Sequence, residues 1–183
     1  MMLKWVVRSQ SVLLFGTGLV FPFYIVFLSE SGASFSEFGL AYGLFTVSAA
    51  LVHHWVGRYS DLFGRKIFLL VSAWGNAIVY LVFPVVQEML AVYIIQVVLG
   101  ILGALQKTSE KALVADFTDG SNRGVLIGRY HFWISLWSGA AVMVSGFLID
   151  LLTLSVIFYL GSFICFLSGV LTLFIQEEKE LGS

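Results

Sequence analysis

From Ser9 to Ser29 the chain carries no charged residue, and the stretch includes "VLLFGTGLVFPFYIVFL". Five more apolar runs of similar reach follow. About 20 helical residues cross the hydrocarbon core of a bilayer. Lipid offers no partner to backbone N–H and C=O groups, so each crossing segment must close its hydrogen bonds within its own helix. Apolar runs place spans at about 9–28, 37–56, 67–86, 89–105, 125–149 and 154–175, with the fourth helix continuing toward Ala115. The expected fold is all-α and integral to the membrane, one six-helix domain over residues 1–183.

Composition agrees. Of 183 residues, 59% are hydrophobic and 11% charged, against about 25% charged in soluble domains. The first run follows a positive start, as in a signal peptide. It is too long, though, and lacks a small-residue cleavage site, so it reads as a retained span. The lone Cys165 lies in an apolar run and has no partner for an internal disulfide. A net charge of −1 gives no basic excess to attract nucleic acid.

Charge sets the orientation. Lys4 and Arg8 precede the first span; Arg58, Arg65 and Lys66 lie between the second and third. Lys107, Lys111, Arg123 and Arg129 flank the fourth connection, and Lys179 follows the sixth span. All of these fall on one side, while Glu30, Glu37, Glu88 and Asp150 fall on the other. By the positive-inside rule both termini and the two charged connections face the cytoplasm, as in a multi-pass plasma-membrane protein.

One of those connections reads "GRYSDLFGRK", from Gly57 to Lys66. A solvated positive loop would explain its bases. It would not require Asp61, nor glycine at both Gly57 and Gly64. Glycines permit sharp turns and close helix approach, and an Asp at a helix terminus can accept backbone N–H bonds at the positive dipole end. The stretch resembles the signature loop of the major facilitator superfamily, which lies between that family's second and third helices. Gly57, Asp61, Gly64, Arg65 and Lys66 match the pattern; Leu62 stands where the family usually has a base. The resemblance implies a conformational latch on the cytoplasmic face. Its bases would meet a carboxylate at the end of the fourth helix, here Asp116 in "ALVADFTDGSNRG", and its Asp would meet a helix dipole in the other half.

The resemblance also implies two inverted three-helix repeats and secondary transport of a small solute by alternating access, as half of a twelve-helix unit. The second half would be a separate chain or a second copy in a homodimer. A non-transporting interaction or regulatory module, or an inactive truncated fragment, is the alternative. By the family's placement of helices, Thr17, Tyr24 and Gln96 would line the cavity, and Trp137 is a further lining candidate. Gln96 replaces the Arg of the antiporters' fourth-helix motif, though Gly100 keeps the Gly. "AVMVSG" in the fifth span lacks the proline of the drug–proton antiporters, so neither proton antiport nor drug export is assigned.

Small residues cluster in the second span (Gly39, Gly43, Ser48) and in the fifth (Ser138, Gly139, Ala140), where close helix packing is expected. Lys107, Glu110 and Lys111 are spaced for local ion pairs on the helix surface. His53, His54 and His131 are expected as interfacial anchors, and adjacent histidines do not share a helix face for a metal. Asn76 is expected to be structural. No nucleotide loop, metal-ligand spacing or nucleophile–base pair points to an enzyme or a cofactor.

Overall fold

A computed structural model of the chain describes residues 3–30, 33–118 and 122–177. Lys179 and the middle of the segment after Asp116 lie outside these residues. The fold is all-helical: α1 (Leu3–Glu30), α2 (Phe35–Phe63), α3 (Arg65–Val82), α4 (Met89–Asp116), α5 (Arg123–Ile149) and α6 (Leu154–Thr172). All six are long and apolar enough to cross a membrane. Several outrun the apolar stretches that announce them. α1 begins before Ser9, and α2 continues past Val56 into the Gly57–Lys66 stretch as far as Phe63.

Local signals set the boundaries. Ser34 and Glu37 form a capping box at the start of α2, with Glu37 N–H donating to Ser34 Oγ at 3.3 Å and Ser34 N–H to Glu37 Oε2 at 2.8 Å. Pro84 lies in a single 3-10 turn, Phe83–Val85, that closes α3; its ring removes a donor that a longer helix would need.

The helices pack in a chain of neighbours. α1 lies against α5 and α6, α3 against α6 and α4, and α4 against α2. Exchanging α1, α2 and α3 with α4, α5 and α6 leaves these pairings unchanged, and each of them joins a helix of the first three to one of the last three. Close approach is bought by small residues. A Cβ on Gly161 would come within 2.4 Å of Val20, and one on Gly100 within 2.1 Å of Ser48 Oγ. Cys165 is buried against Gly16.

Serine hydroxyls stitch the interfaces. Ser72 donates to Leu102 O at 2.9 Å, Ser162 to Ala77 O at 2.6 Å and Ser168 to Ser9 O at 2.8 Å. Such interhelical bonds contribute about 0.6 to 1.7 kcal/mol each within a membrane. Asn76 is buried and donates within its own helix to Ser72 O at 2.8 Å. At one end of the bundle Phe83 stacks on Phe158 with centroids 4.8 Å apart, and Phe27 and Tyr24 meet Phe83 edge-on. At the other end Val6, Leu69, Leu113, Tyr130 and Ile175 form a second apolar cluster.

Candidate functional site: a charged cluster at the mouth of the bundle

The signature stretch is not a loop. It forms the last turns of α2, a break at the single residue Gly64, and the first turn of α3. Gly64 has φ +94° and ψ 140°, a region that costs any residue with a side chain. Gly57 lies within α2, and a Cβ there would meet only Thr108 at 4.0 Å. Of the two glycines, Gly64 is the one that makes the turn.

The break sets Arg65 between two carboxylates. Its guanidinium donates to Asp61 Oδ1 at 3.1 Å and pairs with Asp116 at the end of α4. Each partner stands at the wrong end of its own helix. Asp61 and Asp116 lie at C-terminal ends, where the macrodipole disfavours anions, and Arg65 lies at an N-terminal end, where it disfavours a cation. Asp61 thus does not cap a positive helix end within this chain, as the sequence allows; Arg65 compensates it instead. The aspartate side chains are 63% and 51% exposed, so each pair contributes about 0.2 to 1 kcal/mol.

Lys66 does not join Asp116. Its Nζ donates to Leu173 O at the end of α6, at 2.6 Å. Glu177, beyond α6, accepts the Lys66 backbone N–H at 2.6 Å and so caps α3. The arrangement suits both dipoles, with a cation at a C-terminus and an anion at an N-terminus. Glu177 was not singled out in the sequence, because only the fold returns the chain after α6 to the start of α3.

Just inside this cluster lies a second polar group. Gln106 Nε2 donates to Gln10 Oε1 at 3.1 Å and also bonds the Glu110 carboxylate. Tyr130 donates to Glu110 Oε1 at 2.5 Å. All four residues are buried, and they join α1, α4 and α5. The expected surface ion pairs among Lys107, Glu110 and Lys111 do not form, because Glu110 turns inward. The signal lay in the periodicity: Leu102, Gln106, Glu110 and Leu113 share one face of α4, and Lys107 and Lys111 flank it. His53 Nδ1 lies 2.7 Å from Thr108 Oγ1, tying α2 to α4.

The lining candidates are dispersed. Thr17 sits on α1 with its hydroxyl on Leu14 O at 3.4 Å. Tyr24 and Gln96 are both buried and are neighbours, with the Tyr24 hydroxyl lacking a well-formed hydrogen bond. Trp137 is half-exposed on α5 and borders a cleft between α1, α5 and α6.

Comparison with known proteins matches this architecture. The profile of the Major Facilitator Superfamily covers residues 9–183. The Uncharacterized MFS-type transporter YitZ of Bacillus subtilis (strain 168) is 47% identical over 157 residues, 86% of this chain and 96% of that protein. The Multidrug resistance protein MdtG of Proteus mirabilis (strain HI4320) is 29% identical over 90% of this chain but 42% of its own length. The Uncharacterized MFS-type transporter MJ1560 of Methanocaldococcus jannaschii is 23% identical over 95% of this chain and 45% of its own. The chain thus spans less than half of these two longer relatives and nearly all of YitZ. With six apolar helices, the signature stretch in its slot and a family profile along almost its whole length, this multi-pass membrane chain belongs to the Major Facilitator Superfamily.

Proposed function

We propose that the chain is one half of a twelve-helix secondary transporter that moves a small solute by alternating access. The partner half is either a separate chain or a second copy. The reading rests chiefly on where the glycines stand. Those at Gly16, Gly75, Gly100, Gly161 and Gly169 are all jammed against neighbouring helices. A Cβ at Gly39 or Gly43 on α2, or at Gly139 or Gly146 on α5, would meet nothing within 4 Å among the described residues. α2 and α5 are also the least covered helices. Small-residue faces favour helix–helix contact in lipid, so these two faces are suited to a second half that rocks against them.

In this reading Gly57, Asp61, Gly64, Arg65, Lys66 and Asp116 form the latch, with Glu177 added to it. Weak, exposed pairs suit a device that must open and close, since two states a few kcal/mol apart exchange readily. Thr17, Tyr24 and Gln96 contribute the lining. The names of the relatives, among them a multidrug resistance protein and the Tetracycline resistance protein, class B, of Escherichia coli, make drug-like organic solutes the first panel to assay.

The test is native mass spectrometry of the 20.2 kDa chain from mild detergent, followed by flux through the intact assembly in vesicles. A dimer or hetero-complex whose flux falls with Asp61→Asn supports the reading. A folded monomer without flux, or an assembly indifferent to Asp61→Asn, overturns it in favour of an interaction module or a fragment.

A further inference from the structure

The cleft that Trp137 borders shares no residue with the charged cluster or with the buried polar group. α5 and α6, though consecutive, barely touch, and between them, over α1, lies a cavity of about 640 Å³. That is within the range of single-ligand sites, about 300 to 1,000 Å³. Its walls are three helical stripes, formed by Val12 and Phe15 on α1, Trp133 and Trp137 on α5, and Ile164 and Leu171 on α6. Spacings of three, four or seven residues keep each stripe on one face, so the cleft runs along the helices rather than across them.

One charge borders it. Arg8 stands at the end of α1 that carries the cytoplasmic bases, and it forms no ion pair among the described residues. Its guanidinium lies 5.0 Å from the ring centre of Trp5, and Trp5 in turn stacks on Phe174 of the segment after α6 with centroids 5.2 Å apart. The cation is therefore held at the rim by an aromatic support, with its donors free.

An apolar trough with a single fixed cation at one end complements an amphipathic anion. We infer that the cleft is a binding site for an anionic phospholipid of the cytoplasmic leaflet, with one acyl chain between α5 and α6 and the phosphate on Arg8. A guanidinium recognises phosphate by paired N–H donors, and the cytoplasmic leaflet supplies anionic headgroups at that depth. A zwitterionic lipid fills the trough equally well but gains less from Arg8.

The experiment uses the full chain in nanodiscs containing phosphatidylglycerol or phosphatidylcholine that carries a photoactivatable group in the acyl chain, with labelled peptides mapped by mass spectrometry. The expected result is labelling around Trp133–Trp137 and Ile164–Leu171 that is several-fold stronger with phosphatidylglycerol. Arg8→Gln brings it down to the phosphatidylcholine level, and Arg8→Lys retains most of it. Equal labelling by the two lipids of the unmodified chain overturns the assignment, a comparison that needs no variant to fold. So does labelling unchanged by Arg8→Gln. Absence of labelling from either lipid means that protein, a second copy or a partner half, covers the cleft, and the assignment is likewise overturned.

Discussion

Glu177 lies over Gly64. Its Oε1 accepts the Lys66 amide at 2.6 Å, and a Cβ on residue 64 would stand 2.6 Å from its Oε2. The glycine of the signature stretch therefore does two jobs. It takes the positive φ that separates α2 from α3, and it leaves the space through which the segment after α6 caps α3.

Gly64→Ala is expected to destabilise the chain by about 1 to 3 kcal/mol, from backbone strain and the crowding of Glu177. At about 2 to 4 °C per kcal/mol for a chain of this size, thermal unfolding in detergent should shift down by several degrees. Glu177→Gln keeps an acceptor and should lose less. A Gly64→Ala protein as stable as its parent would show that neither the positive φ nor Glu177 resists a side chain at this position.

The Arg65 pairs should be weak and sensitive to salt. A double-mutant cycle with Arg65→Gln and Asp116→Asn is expected to give a coupling of about 0.2 to 1 kcal/mol in unfolding experiments, shrinking toward zero at about 1 M salt. A coupling above about 2 kcal/mol that survives high salt would mean the pair is far better shielded than its exposure implies.

The buried group responds to loss of a donor rather than to loss of charge. Tyr130→Phe removes the hydroxyl that bonds Glu110 and leaves a buried carboxylate oxygen short of a partner, at a cost of about 1 to 3 kcal/mol. Glu110→Gln keeps the shape and still accepts from Tyr130, and turning over the Gln106 and Gln10 amides, whose Gln10 Nε2 has no partner, gives its new NH2 an acceptor, so it should cost less than Tyr130→Phe. Chemical unfolding of the two variants side by side tests the order, and a reversed order counts against it.

Glycines should separate folding from assembly. Gly100→Ala forces a methyl group to within 2.3 Å of Phe45 O and 2.1 Å of Ser48 Oγ, so α2 and α4 must part and the yield of folded protein should fall sharply. Gly39→Ala and Gly139→Ala meet nothing within 4 Å among the described residues and should leave the melting temperature within a few degrees. If those faces receive a second half, bulkier Gly39→Leu should weaken the assembly seen by native mass spectrometry while the chain itself stays folded.

How much the sequence disclosed can be read from particular residues. The six spans were legible because lipid exposes almost any face of a helix, so crossing segments must be apolar throughout, and hydropathy reports that directly. The signature stretch was legible in its slot, and its match to Asp116 came through the resemblance. Its conformation was not: the apolar boundary at Val56 marks where the greasy side chains stop, whereas hydrogen bonding carries α2 on to Phe63.

Other features were decided only by the tertiary structure. Glu177 reaches Gly64 because α6 returns to the start of α3, a contact across 111 positions between Lys66 and Glu177 that no local pattern encodes. Glu110 looks like a surface charge between two lysines until α1 and α5 bring Gln10 and Tyr130 to it. Likewise, glycines that read alike on α2 and α4 separate into the open and the jammed only when the helices are in place. Hydropathy is a property of each segment alone, and the sequence determines it by itself. Which polar groups are sheltered, and which small residues stay uncovered, depends on neighbours that packing supplies.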